Sequence, residues 1–423
     1  MKIMVIGGGG REHAIIKALK KSKRVKTIYA LPGNGGIAAD AQCVNIAATD
    51  IPKIVEFAKE NEIEFAVVAP DDPLVLGAVD ALEDAGIECF GPKANAAIIE
   101  GSKVFSKNLM KSFDIPTAKY EVFDNMDEAL EYVKTAPIPT VIKADGLALG
   151  KGVIIAENRH DAENAIRSMM EDKIFGESGS RVVIEEFLTG PEVSVLSFTD
   201  GKTIIPMVSS MDHKRALDGD KGLNTGGMGT VAPNPYYTEE VAKECMEKIF
   251  LPTIKAMSSL DRPFKGCLYF GLMITPNGPK VIEYNCRFGD PETQVVLPLL
   301  ESDLFEIMLA VAEERLDEIE VKFADKNACC VVLASNGYPK AYEKGFEITI
   351  GELSDNADFY IAGAKLENGK LLTNGGRVLN VVATADTLEQ AIADAYKNVP
   401  NITFENAYCR KDIGQRALKA GKV

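Results

Sequence analysis

The chain opens Met-Lys-Ile-Met-Val-Ile-Gly-Gly-Gly-Gly-Arg-Glu-His-Ala (1–14), a short apolar strand that passes through four glycines into an amphipathic segment. The alternation continues through the first hundred residues. It predicts strands over 2–6, 26–30, 65–69 and 87–90, and helices near 11–20, 52–61 and 74–85. Strands separated by helices need crossover connections, so this order demands a parallel, doubly wound sheet. Ligands of such sheets sit beyond the carboxyl ends of the strands. Those ends are Gly7–Arg11, Leu31-Pro32-Gly33-Asn34, Pro70-Asp71-Asp72-Pro73 and Gly91-Pro92. The first invites a dinucleotide reading, since Gly7 and Gly9 open a G-x-G-x-x-G pattern. Glu12 occupies the third glycine position, however, and no acid closes the second strand to take a ribose hydroxyl. A glycine-rich turn at a helix N-terminus still favours an anion; a plain tight turn is the alternative.

Beyond residue 101 the pattern changes. A helix over about 102–113 leads to Ile115-Pro116-Thr117, a strand, a helix at 127–134 and the strand Thr140-Val141-Ile142-Lys143. Ala-Asp-Gly-Leu-Ala-Leu-Gly-Lys-Gly (144–152) then connects to a strand over Val153–Ala156. Two strands joined by a glycine-rich loop, with lysines in the strand and on the loop, can close over a triphosphate. The spacing is not that of a P-loop. A hairpin with a solvated lysine is the bland alternative, although Lys143 ends an apolar strand where an unpartnered lysine is costly. After a helix near 161–171, the apolar strand from Val182 runs into Glu185-Glu186-Phe187-Leu188. Such a linker can offer backbone groups to a base edge, with Glu192 near a ribose; a solvated Glu-Glu turn fits the same residues. Residues 210–233 are glycine-rich and polar and read as a lid or binding loop. Residues 324–423 read as a separate α+β unit with a helix at 387–397.

Residues 282–294 read Ile-Glu-Tyr-Asn-Cys-Arg-Phe-Gly-Asp-Pro-Glu-Thr-Gln. In a strand, Glu283, Asn285 and Arg287 share one face, and Tyr284, Cys286 and Phe288 share the other. Carboxylate and amide oxygens suit a hard cation, and the arginine suits an anion. A half-exposed strand with a polar face accounts for the same alternation. The formal charge of −15 excludes a broad nucleic-acid or anionic-membrane surface and leaves room for one basic pocket around a phosphorylated small molecule. No apolar run approaches a membrane span, and the start reads as a strand rather than a signal peptide. Eight cysteines without a Cys-x-x-Cys pair, and only three histidines, argue against a zinc cluster and for core thiols in a reducing cytoplasm.

Four features occur in one order: Lys103 before a helix, Lys143 with its glycine-rich loop, the acidic linker, and the Glu-x-Asn strand. Together they resemble the ATP-grasp superfamily. More narrowly, the chain is similar to the glycinamide ribonucleotide synthetase (phosphoribosylamine–glycine ligase) family. The similarity runs from Gly-Gly-Arg-Glu-His-Ala (9–14) to Arg-Lys-Asp-Ile-Gly (410–414). Between them lie Glu-Gly-Ser-Lys (100–103), Lys-Ala-Asp-Gly-Leu-Ala (143–148), Asp-His-Lys-Arg (212–215), Asn-Thr-Gly-Gly-Met-Gly (224–229), Arg-Phe-Gly-Asp-Pro-Glu-Thr-Gln (287–294) and Thr-Asn-Gly-Gly-Arg-Val (373–378).

The resemblance implies a Rossmann-like substrate domain over 1–101, an ATP-grasp domain over 102–323 with a nucleotide-binding subdomain at about 115–190, and a small α+β domain over 324–423. It implies ligation of glycine to 5-phosphoribosylamine with ATP through glycyl phosphate. ATP would be bound by Lys103, Lys143, Gly146, Gly150, Gly152, Glu185, Glu186, Phe187, Leu188 and Glu192. Glu283 and Asn285 would hold Mg²⁺ or Mn²⁺. Arg287 and Asp290 would act with Lys143 at the reacting groups, and Gly9, Gly10, Arg11, Asp212, Lys214 and Gly289 would complete the substrate sites.

The expected partners are small molecules, with neither nucleic acid nor membrane. The expected state is a cytoplasmic monomer, with transient channelling from the enzyme that supplies phosphoribosylamine as an option. Two departures stand out. The strand Tyr269–Met273 lacks the extra acidic metal ligand common in the superfamily, and Asp71 stands where the family usually has glutamate. Another ATP-grasp ligase or carboxylase is the nearest rival. A dinucleotide oxidoreductase would need the missing glycine and acid, and a non-catalytic nucleotide-binding module would break the Glu-x-Asn strand.

Overall fold

The computed structural model describes residues 1–147 and 152–420. The glycine-rich connection over 148–151, including Gly150, lies outside the described residues. The N-terminal sheet has five parallel strands in the order Gln42–Cys43, Thr27–Pro32, Lys2–Gly7, Phe65–Val68, Glu88–Phe90. It is the expected doubly wound arrangement with one short edge strand added. The helix expected over 74–85 is two helices, Asp71–Val75 and Ala78–Asp84, because Gly77 between them sits at φ +87°, the left-handed region where glycine ends a helix without strain.

Two antiparallel sheets follow. Tyr120–Phe123, Val182–Glu186, Thr140–Ala144 and Val153–Ala156 form one, in that spatial order, covered by helices Met126–Val133 and Arg159–Met170. Ile204–Pro206, Glu192–Asp200, Lys265–Thr275 and Gly278–Asn285 form the other. The second packs on the N-terminal sheet: Phe288, just past its last strand, lies 6.0 Å from Phe90 and 6.1 Å from Phe198 between ring centroids.

The C-terminal sheet runs Met211–Asp212, Gly229–Ala232, Asn327–Ser335, Arg377–Ala385, Ala357–Ile361, all antiparallel. Helix Leu388–Asn398, capped by Thr387, covers it. Two of its strands thus come from the segment read in sequence as a lid. Residues 210–233 are not one long loop but four short strands, Met211–Asp212, Arg215–Leu217, Lys221–Asn224 and Gly229–Ala232. Strands of two to four residues, rich in glycine and polar side chains, carry too little alternation to register as strands.

Candidate active site

The strand Gly278–Asn285 is not regular. Gly271 pairs with Glu283 while Leu272 pairs with Val281, so Ile282 is an extra residue on its strand. A bulge of this kind re-aims the side chains that follow it. Tyr284, Cys286 and Phe288 stay buried, while Glu283, Asn285 and Arg287 line a cleft of about 610 Å³. Gly271 makes room for this: a Cβ there would stand 2.9 Å from Glu283 Cγ. The bulged Ile282 turns its carbonyl to Lys143, whose Nζ donates to it at 3.1 Å.

One end of the cleft is built from buried ions. Lys143 Nζ and Lys107 Nζ lie 3.0 and 3.1 Å from the same oxygen, Glu185 Oε2. All three side chains are under a tenth exposed, and Glu185 Oε1 has no hydrogen-bond partner among the described residues. Burial pushes the Lys107 ammonium down to about 8, against the pull of Glu185. Ser102 caps the helix Lys103–Ser112, accepting from the Phe105 N–H. Its hydroxyl donates to Asp145, which also holds Arg181 at 2.7 Å. Lys103 Nζ donates to the Gly146 carbonyl at 2.8 Å. Gly146 (φ +93°) and Gly152 lie along the cleft with Phe187, Leu188 and Glu192. Glu186 accepts from the Lys119 N–H and from Lys280.

At the other end Lys214 Nζ bridges Glu192 and Glu283, 3.5 Å from each. Burial pushes the Glu283 carboxyl up, but Lys214, Lys143 and Arg287 outweigh it and hold the group ionised below its usual value. Arg287 donates to Asn285 Oδ1 at 3.3 Å and pairs with Glu100 at 3.4 Å. Glu100 also accepts from the Cys286 N–H at 2.7 Å. Asp290 accepts from Gln294 Nε2 at 2.7 Å and faces Arg377 at 3.4 Å. Burial opposes its ionisation, and Arg377, Arg11 and Gln294 overcome that opposition. Asp212 is the opposite case: burial and the nearby Glu292 push its carboxyl well up, with Lys214 only partly offsetting them. Gly289 packs against Glu292, whose Oε2 would lie 2.4 Å from a Cβ at that position.

The first glycine turn closes on itself. The Gly9 N–H donates to Glu12 Oε2 at 2.6 Å, and Arg11 Nε donates to Glu12 Oε1 at 2.9 Å. Arg11 also donates to the Phe288 carbonyl at 2.8 Å. A Cβ on Gly10 would meet Gln294 Nε2 at 2.7 Å, so this glycine is required by packing against the 290–294 segment. Arg11 lines the cleft, whereas Gly9 and Gly10 stand behind it.

Among the cleft residues that carried no role in the sequence reading are Glu100, Lys107, Glu292 and Arg377. Three sit inside segments already marked by the resemblance. Lys107 sits four residues after Lys103 on one helix, a spacing that places both on the same face.

Glu283 and Asn285 offer one carboxylate and one amide oxygen, hard donors contacted by the cations Lys214 and Arg287, and they fit a divalent metal. Among the described residues no group of three His, Cys, Asp or Glu side chains is placed to hold a metal alone. Ligand oxygens therefore have to complete its shell.

Two antiparallel sheets facing across a lysine-lined cleft, with a Glu-x-Asn strand at its far wall, define an ATP-grasp enzyme. Three family models match in succession: the N domain of phosphoribosylglycinamide synthetase over residues 1–100, its ATP-grasp (A) domain over 101–293 and its C domain over 328–416. The chain is 49% identical over 416 residues to a phosphoribosylamine–glycine ligase of Clostridium acetobutylicum, covering 98% of this chain and 100% of the relative. It is 47% identical over 413 residues to that of Caldanaerobacter subterraneus, covering 98% and 99%. The crystal structure of the Thermotoga maritima phosphoribosylamine–glycine ligase superposes with a TM-score of 0.85 at 34% identity, covering 98% of this chain and 100% of that one. Biotin carboxylase of Campylobacter jejuni shares the fold, with a TM-score of 0.76 at 16% identity over 96% of this chain and 92% of that one. The chain belongs to the phosphoribosylglycinamide synthetase family and is a ligase of the ATP-grasp class.

Proposed function

We infer that the chain joins glycine to 5-phosphoribosylamine at the expense of ATP, giving glycinamide ribonucleotide, ADP and phosphate, a step of purine biosynthesis. The observation that carries this reading is the convergence of the Glu283–Asn285 donors, the Lys143 cluster and the Arg287–Asp290 segment on one cleft, in a chain with full-length phosphoribosylamine–glycine ligase relatives. A carboxylate is a poor acyl donor because its oxygen does not leave. Transfer of the ATP γ-phosphoryl group to glycine gives glycyl phosphate, and the amine of phosphoribosylamine then displaces phosphate to form the C–N bond.

The protein's share is positioning and charge neutralisation. Lys103 and Lys143 take the phosphates, and the linker Glu185–Leu188 takes the adenine, with Glu192 at the ribose. Arg287 clamps the glycine carboxylate. Asp212 and Lys214 shape the glycine site beside Asp290 and Gly289. Arg11 faces the phosphoribosyl group, and Gly9 and Gly10 shape the turn that presents it. Bound at Glu283 and Asn285, Mg²⁺ or Mn²⁺ would neutralise phosphate charge.

No helix among the described residues is long and apolar enough to cross a membrane, and seven of the eight free cysteines are shielded to some degree. We place the enzyme in the cytoplasm as a monomer that receives phosphoribosylamine by transient channelling. A coupled assay for ADP, omitting each substrate in turn, tests the reaction. ADP release should require both glycine and phosphoribosylamine. Rapid release without glycine would exclude it.

A further inference from the structure

We propose that Arg377 is a positioning residue through which the C-terminal sheet sets Asp290 for ligation. The proposal rests on the reaction assigned above. Arg377 begins the strand Arg377–Ala385, whose register breaks where it meets the neighbouring strand: Leu333 pairs with Leu379, but Ala334 pairs with Arg377. Val378 is therefore an extra residue, and it is fully buried. This second bulge aims Arg377 into the cleft, as the one at Ile282 aims Glu283.

The guanidinium then grips one residue at two points. NH1 donates to the Asp290 carbonyl at 2.8 Å, and NH2 lies 3.4 Å from Asp290 Oδ2. NH1 also lies 3.3 Å from the Gly227 carbonyl, which ties in the turn beside Asp212. Gly226 leaves the space for it, since a Cβ there would stand 2.8 Å from Arg377 Cζ. A planar fork makes these contacts together, whereas a lysine supplies one point charge. Arg287 is already engaged by Glu100 and Asn285, and Arg11 by Glu12 and the Phe288 carbonyl. Arg377 is thus the group that fixes the Asp290 backbone and carboxylate together, and it comes from another sheet.

The test compares wild type, Arg377→Ala, Arg377→Lys and Gly226→Ala in the substrate-omission ADP assay over pH, with melting temperatures. Arg377→Ala should lower kcat roughly ten- to hundredfold, the range for losing a charge-assisted hydrogen bond. The KM for ATP should stay within about twofold, because the Lys143 end is untouched. Arg377→Lys should recover part of the loss. Asp290 faces Arg377, Arg11 and Arg287, with Gln294 as its neutral partner, so removing Arg377 should also move the acid limb of kcat to higher pH. Gly226→Ala displaces the guanidinium without deleting it and should reproduce the kcat loss even if Arg377→Ala does not fold. A kcat within twofold of wild type in either alanine variant would overturn the proposal. So would equal losses in both Arg377 variants with a lowered melting temperature and an unmoved acid limb. A wild type that releases no ADP with all three substrates present would instead overturn the reaction itself.

Discussion

Two lysines of the same cleft are held in opposite ways. Lys143 sits almost fully buried, 3.0 Å from Glu185, with Lys107 on the same oxygen. Lys214 is over a third exposed and stands 3.5 Å from both Glu192 and Glu283. The first arrangement is fixed before anything binds, because a buried ion is expensive to leave unpaired. The second is a loose bridge whose charge a divalent cation can replace. On the proposed assignment of the site, preorganisation lies at the nucleotide end and exchangeability at the reacting end. That is the order a ligase needs: the cleft must hold ATP still while charge is redistributed at the γ-phosphate.

The largest expected effect tests the exchangeable end. Glu283→Gln removes the one carboxylate of the proposed metal-donor pair while leaving an amide of the same shape. Turnover should fall about a hundredfold or more, as for other groups acting on transition-state charge. The melting temperature should hardly change, because the side chain faces the cleft and its ion pair with Lys214 is half-exposed. Turnover near wild type at ordinary Mg²⁺ would show that the Glu-x-Asn strand holds no metal.

The preorganised end should respond differently. Lys143→Met leaves Glu185 neutralised by Lys107 at 3.1 Å, so the fold should lose little stability while the KM for ATP rises roughly tenfold or more through a lost charge-assisted contact. Glu185→Gln leaves two buried lysines without the carboxylate that both contact. Breaking a buried ion pair from one side costs about 3–5 kcal/mol, so this variant should unfold markedly more easily. Denaturant titrations of the pair decide the matter. Equal destabilisation would mean that Lys143 is a strut of the sheet rather than a phosphate ligand.

The sequence revealed the parallel N-terminal sheet because strands and helices there are long enough to show their periods. It revealed the face shared by Glu283, Asn285 and Arg287 because Tyr284, Cys286 and Phe288 alternate with them. It did not reveal the bulges at Ile282 and Val378, which follow from pairing between distant segments. Arg377 was for that reason visible as part of Thr-Asn-Gly-Gly-Arg-Val but not as a cleft residue. Lys107 was hidden by a different cause. A helical lysine reads as solvated until its partner Glu185, far along the chain, is known. Residues 210–233 were misread because the strands Met211–Asp212 and Gly229–Ala232 become strands only by pairing within the C-terminal sheet.

The effect furthest from the chemistry concerns the link between that sheet and the reacting end. His213, next to Asp212 and Lys214, is fully buried. Its Nδ1 lies 3.1 Å from the Gly229 carbonyl, and its Nε2 accepts the Gly414 N–H at 3.1 Å. One nitrogen donates and the other accepts, so the ring must be neutral. Burial, reinforced by Arg416 and Arg410, pushes its pKa down to about 4. In the unfolded chain it returns to about 6.5. Between those values the unfolded state binds a proton that the folded state refuses, so this contribution to stability is complete above about pH 6.5 and is lost as pH falls towards 4. The shift corresponds to a loss on the order of 3 kcal/mol across the window. Chemical denaturation of wild type and His213→Asn at several pH values isolates the term, because the carboxylates and His13 titrate in both. The gap between the two proteins should narrow as pH drops from about 6.5. A gap independent of pH would mean that His213 contributes packing and hydrogen bonds but no proton linkage, and that the 410–416 segment stays docked on the Asp212 strand in acid.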